Sequence, residues 1–230
     1  MSYRLHHDVL SAPSRTVRLL LAEYGLEAEG VQQQLWQRDE AFLRLNPAAS
    51  LPVLEDGGTV VVGAQVVLEY LDETRGALKG DHRLVPEGAA ARAEMRRLVD
   101  WSLVKLETEV TRYAVHERVT KRLIPREAGG GTPDSQALRA ARTNIRFHLQ
   151  YLGWIAGQRH WMAGEALSHA DLAVAGALSV LDYLGEIEWS EEGPLRDWYA
   201  RMKSRPSFRP LLADRVRGLP PVSHYADLDF

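Results

Sequence analysis

Few side chains in this chain are spaced for metal or covalent chemistry. Of its eight His, His6 and His7 are adjacent, and His82, His116, His148, His160, His169 and His224 show no ligand spacing, so no metal site is expected. There is no Cys, which removes a disulfide framework, a thiolate zinc site, an iron–sulfur site and a cysteine nucleophile together. The serines with the clearest context precede helical runs. Ser11 or Ser14 can cap the helix that follows. Ser168-His169-Ala170-Asp171 has the Ser-x-x-acid form in which Ser168 caps a backbone N–H and Asp171 reaches back to the N–H of Ser168. His169 is expected to face solvent beside that cap, and His148 to pack against a core. Arg139, Arg142 and Arg146 share one helical face, a basic stripe for an acidic peptide or, more simply, a solvated surface.

Two segments carry residue types common at interfaces. In Trp36-Gln37-Arg38-Asp39, Trp36 either packs in the core or joins Arg38 in a partner contact. Trp101, Trp154, Trp161, Trp189 and Trp198 are assigned mostly to packing. At the C-terminus, Pro220-Pro221 favours an extended chain, after which His224, Tyr225, Asp227, Leu228, Asp229 and Phe230 alternate apolar and acidic character. Such a tail can dock its aromatics while its carboxylates meet basic residues, or it can fold back over its own body.

The elements that would position these groups change character along the chain. Its 230 residues, 45% hydrophobic and 26% charged, can bury a sizeable core. Tyr3–His6 and Gly30–Leu35 read as strands around a helix with Val17, Leu20, Leu21 and Tyr24 on one face and Gly25 at its end. Leu51–Leu54 and Thr59–Val62 flank Glu55-Asp56-Gly57-Gly58, a hairpin signal, and a helix from about Gly63 to Thr74 follows. Residues 76–88 lack a periodic pattern and suit a linker. Beyond them Met95, Val99, Leu103, Leu106, Val110 and Tyr113, and then Leu138, Ala141, Ile145, Leu149 and Leu152, recur at helical spacing, separated by the breaker 125–133. The expectation is an α/β domain over 1–78, a linker over 79–91, an all-helical domain over 92–214 and an extended tail over 215–230. Net charge is -3, with the first 78 residues at -5 and the remainder at +2, giving no overall attraction to nucleic acid or anionic membranes. No apolar run approaches a spanning helix and the start lacks a signal-peptide layout, so a cytoplasmic protein without membrane insertion is expected.

Four motifs in this order resemble the glutathione transferase superfamily. Ser11-Ala12-Pro13-Ser14-Arg15-Thr16-Val17-Arg18-Leu19 is similar to its first strand-to-helix turn, and Asn46-Pro47-Ala48-Ala49-Ser50-Leu51-Pro52-Val53-Leu54 to its cis-proline segment. Gly164 to Asp171 resembles its buried capping box, and Trp198 to Phe208 its late helical signature. The resemblance covers about residues 3–214 and implies a thioredoxin-like domain before a helical one, usually in a homodimer. It also assigns three tasks to a glutathione site. Ser11 matches the serine that stabilises the thiolate at a helix N-terminus, against the simpler capping role. Pro52 matches the proline beside which glutathione pairs with backbone.

The third task is not met. Where the family places Glu or Asp followed by Ser to hold the γ-glutamyl end, this chain has Gly63-Ala64-Gln65. Each lost charged hydrogen bond costs about 1.5 to 3 kcal/mol, or one to two orders of magnitude in affinity. Without Cys, thiol transfer and disulfide reduction are excluded. The tail is similar to that of GST-like bacterial division proteins that bind filaments of FtsZ. The expected function is therefore non-catalytic binding of FtsZ filaments at the division site, affecting their curvature and constriction, with no cofactor. Partner contacts are expected at Trp36, Arg38, His224, Tyr225, Asp227, Leu228, Asp229 and Phe230. The alternative is a serine-type glutathione transferase using Ser11.

Overall fold

The computed structural model describes residues 3–189 and 193–228. Strand β1 (Tyr3–His7) lies inside a four-stranded sheet of order β2-β1-β3-β4, with β2 at Ala28–Gln32, β3 at Val53–Asp56 and β4 at Thr59–Val62. β1 pairs with β2 in parallel, Tyr3 opposite Ala28, and with β3 antiparallel, Leu5 opposite Leu54. Two strands are shifted from the expected ranges. β2 starts earlier because the parallel register brings Ala28 to Tyr3, while Leu35 leaves the sheet in a short turn, Leu35–Gln37. β3 starts later because Asp56 pairs with Thr59, leaving Gly57 and Gly58 as a two-residue loop with φ of 57° and 109°, which non-glycine residues rarely adopt.

Helix α1 (Ala12–Glu23) covers one face of the sheet, α2 (Glu40–Leu45) follows β2, and α3 (Ala64–Arg75) follows β4. A long helix, α4, then runs over residues 89–123, and two stretches of it, Trp101–Thr111 and His116–Thr120, are wound more widely with i→i+5 bonding. Helices α5 (Ser135–Gln158), α6 (His169–Tyr183) and α7 (Pro194–Lys203) complete the helical domain, with a short α8 at Arg209–Leu212.

Every residue of α6 is buried, as suits a helix apolar on all sides. It packs on α1 so closely that a Cβ at Gly176 would stand 2.7 Å from Thr16 Oγ1 and 3.2 Å from the Ala12 carbonyl oxygen. Glycine is required there for the domains to meet. The start of α6 is fixed by Asp171, which accepts hydrogen bonds from Met162 N–H at 2.7 Å, Ser168 N–H at 2.9 Å, Ser168 Oγ at 3.0 Å and Trp198 Nε1 at 3.0 Å. His169, expected at the surface, is instead 1% exposed, because the first turn of α6 is enclosed like the rest. Burial holds its imidazole down to about 4. His148 is buried as expected and bonds Glu109 at 3.0 Å.

The C-terminal segment is bound to the body by Arg15 of α1, which has no exposed surface. Its Nε donates to the Val9 carbonyl at 2.6 Å, and its Nη1 to Ser179 Oγ at 2.8 Å and to Tyr225 OH at 2.9 Å. Nη2 lies 3.4 Å from Asp214 Oδ2, which Arg18 grips at 2.7 Å. Tyr225 OH in turn donates to the Leu211 carbonyl at 3.0 Å, and its ring meets Tyr183 edge-on. The tail therefore folds back at Tyr225, which is fully buried and corrects its assignment as a free partner contact.

Three outcomes are expected in denaturant titrations. Asp171→Ala, which strands four buried donors in the core, should cost about 3 to 5 kcal/mol. Tyr225→Ala should cost about 3 to 5 kcal/mol, and Tyr225→Phe about 1 to 2 kcal/mol. For His169 the folded value lies below the unfolded one, so its contribution is present above pH 6.5 and lost as pH falls toward 4. His169→Gln should remove about 2 kcal/mol of the stability lost between pH 7 and pH 5. An unchanged pH slope would refute the burial of a neutral imidazole.

Candidate functional site

The turn after β1, the segment following β2, the residues before β3 and one face of α4 enclose a cleft of about 600 Å³ between the two domains. Ser11 lines it, and its Oγ accepts the Ser14 N–H at 3.2 Å, capping α1. Ser11 is thus a helix cap with its side chain at the cleft, so both of its expected roles share one position. Leu10, Leu35, Trp36, Val115, Val119 and Leu123 give the cleft a largely apolar wall, and the polar groups Asp8, Gln33, Glu107 and His116 also reach it.

The Leu51–Pro52 bond is cis, matching the family position. Ser50 and Leu51 line the cleft, whereas Pro52, Gly63 and Ala64 do not. Gly63 N–H donates to the Pro52 carbonyl at 2.9 Å, and Gly63 holds φ 90° and ψ 141°, a conformation that strains any residue with a Cβ. Ala64 is buried at the first position of α3, and Gln65 is exposed beside a separate cavity that includes Arg96 and His169. Gln65 thus lines a different cavity from Ser11.

Burial shifts the acids of the cleft. Asp8, whose Oδ1 accepts Leu10 N–H at 2.8 Å, is raised by desolvation. Glu107 is pushed up to about 7 by the same cause, with Arg112 opposing. His7, behind the cleft, is held down to about 4 by burial and by Arg18. The contribution of α4 was not legible from spacing. Leu103, Leu106 and Val110 mark its inward face, but the widened turns that bring the intervening Glu107 to the cleft carry no clear sequence signal.

The expected partner residues separate. Trp36 is partly buried and borders the cleft, while Arg38, at φ 50°, is exposed just beyond it. His224 is partly exposed with Nε2 3.2 Å from Asp182 Oδ1, Tyr225 is enclosed, and Asp227 and Leu228 face solvent. Asp229 and Phe230 lie outside the described residues. The tail and the Trp36 loop are not joined in one cavity. Arg139 and Arg146 are exposed, whereas Arg142 pairs with Glu186 at 2.9 Å. Of the tryptophans assigned to packing, Trp154 is 61% exposed. Among the described residues no three His or acidic side chains gather as metal ligands, and no helix is long and apolar enough to cross a membrane.

Two family models match this chain, the glutathione S-transferase N-terminal domain over residues 10–74 and the C-terminal domain over residues 107–206. FtsZ-localized protein A of Caulobacter vibrioides (strain NA1000 / CB15N) is 40% identical over 98% of this chain and 97% of its own. A solved structure of a glutathione S-transferase from Sinorhizobium meliloti 1021 shares 53% identity with a TM-score of 0.98 and complete coverage of both chains. The structure of FzlA from C. crescentus shares 40% identity with a TM-score of 0.92, again over both whole chains. With both domain models matched in order and full-length relatives on the same fold, this chain belongs to the glutathione S-transferase family.

Proposed function

We propose that this protein binds FtsZ filaments as a non-catalytic homodimer, acting in the cytoplasm at the division site to affect filament curvature and constriction. The observation that carries this reading is the similarity to FtsZ-localized protein A over 98% of the chain. The glutathione side of the scaffold supports it. Gly63 and Ala64 offer no side-chain ligand for a γ-glutamyl group, and the Gly63 backbone disfavours regaining one. Two equivalent copies of one surface would let a dimer bridge subunits or filaments through avidity. Asp227 and Leu228 are the exposed tail contacts, held out from the anchor at Tyr225, and Trp36 with Arg38 forms a second patch. His224 sits at the edge of the first.

The alternative, a serine-type glutathione transferase, is favoured by Ser11 at the cleft and by the high similarity to the Sinorhizobium transferase structure. In that case Ser11 would donate its hydroxyl to the thiolate, which attacks an electrophile held against α4.

Calorimetry with glutathione and co-sedimentation with polymerised FtsZ, from one preparation, separate the two. The expected result is pelleting with FtsZ polymer and no saturable glutathione binding. Glutathione binding without pelleting would reverse the assignment. Ending the chain after Ala226 keeps the Tyr225 anchor. It should lower pelleting severalfold while changing stability by no more than about 0.5 kcal/mol. Unchanged pelleting would remove the tail from the contact.

A further inference from the structure

Of the acids that line the cleft, Asp8 accepts the Leu10 N–H, whereas Glu107 has a buried oxygen left over. Its Oε2 is buried without a hydrogen bond among the described residues. Neighbouring acids of α4 are paired: Glu109 bonds Lys105 and His148, and Glu117 bonds Lys121 and the Asp134 N–H. An unsatisfied buried carboxyl oxygen is destabilising, and such a group calls for an explanation. Here it lies in a widened helical turn, on the wall of a 600 Å³ cleft. That volume suits a small organic molecule, and π-type turns recur at functional sites.

The chemistry of the surroundings narrows the ligand. Asp8 faces the same cleft from the opposite domain, so two desolvated carboxyls look into one space. An anion would meet both, whereas an ammonium can satisfy the unbonded Glu107 oxygen and add to the partial compensation that the solvent-exposed Arg112 gives. Arg112 and His116 are the basic groups on the α4 wall, and both are exposed to solvent. The remaining walls, at 33–36 and 49–51, bring no titratable side chain. Apolar contacts from Leu10, Trp36, Val119 and Leu123 would take a hydrocarbon body.

We propose that the interdomain cleft binds a small amphipathic amine, with its apolar body against Trp36 and the aliphatic wall and its ammonium on the Glu107 carboxylate. The proposal does not rest on FtsZ binding, although Trp36 is shared between this cleft and the proposed filament contact. Burial keeps Glu107 near the point of half-ionisation in the free protein, so seating an ammonium there draws off its proton. Affinity then rises with pH, and binding releases protons near neutrality.

The test titrates the full chain by calorimetry with 2-phenylethylamine, the neutral 2-phenylethanol and the anionic phenylacetate. The amine should bind at least about tenfold more tightly than the alcohol at pH 8, and phenylacetate most weakly. Between pH 8 and pH 6 the amine should lose about tenfold in affinity, as a carboxyl titrating near 7 loses its charge, while the alcohol changes little. Glu107→Gln should abolish both the preference and the pH dependence. Equal binding of amine and alcohol, tightest binding of phenylacetate, pH-independent amine affinity or no saturable amine binding would each overturn the proposal. These readings use the wild-type chain, so they decide the matter even if the variant fails to fold.

Discussion

A guanidinium with no exposed surface joins the first helix, the central buried helix and the C-terminal segment. Arg15 is shared among Val9, Ser179, Asp214 and Tyr225, residues that come from both domains and from beyond the last long helix. A buried charge is tolerable only when its donors are satisfied, so the network constrains every segment that contributes to it. Arg15 also lies between the Tyr183 and Tyr225 rings, 5.8 and 5.9 Å from their centroids. Tyr183 extends the arrangement: its hydroxyl donates to the Leu219 carbonyl at 2.7 Å and accepts the Val216 N–H at 2.9 Å. The chain after α8 is consequently part of the folded body as far as Tyr225, and the residues after it are presented from a fixed point.

That frame separates keeping the fold from keeping the glutathione site. The cis bond before Pro52, the Asp171 network and the close contact of Gly176 with α1 all serve packing of the family fold. None requires a ligand. The start of α3, where the family resemblance places the γ-glutamyl ligands, is by contrast a glycine at positive φ followed by a buried alanine. The cleft nevertheless persists, lined by Ser11 from one domain and Glu107 from the other. A scaffold can lose one ligand anchor and retain a cavity, because the cavity follows from how the domains pack.

What the sequence revealed tracks how local the determining physics is. The Asp171 cap and the Thr59–Val62 strand depend on residues a few positions apart, and both were legible, as was a hairpin at 55–58, whose loop is Gly57-Gly58 alone. The β2 boundary depended on parallel pairing with β1, some 25 residues away, and was misplaced. His169 follows a cap serine, a position usually near solvent, yet α6 is packed against α1, α4 and α7 and the histidine goes inside with it. Tyr225 is 210 positions from Arg15, and nothing in the alternation of the tail distinguishes the aromatic that anchors it from residues left exposed. Of the cleft lining, Ser11 and Trp36 were named from the sequence; Pro52, Gly63 and Ala64 lie off it, and Glu107 reaches it by a widening of α4 that spacing does not encode.

The central claim is that a body locked around Arg15 presents two exposed segments to a filament. Hydrogen exchange of the full chain, with and without polymerised FtsZ, tests it most directly. Added protection is expected at 33–39 and 226–228, with the α1 and α6 amides unchanged because they are already protected in the free protein. Protection confined to other surfaces, or no difference on adding polymer, would contradict it.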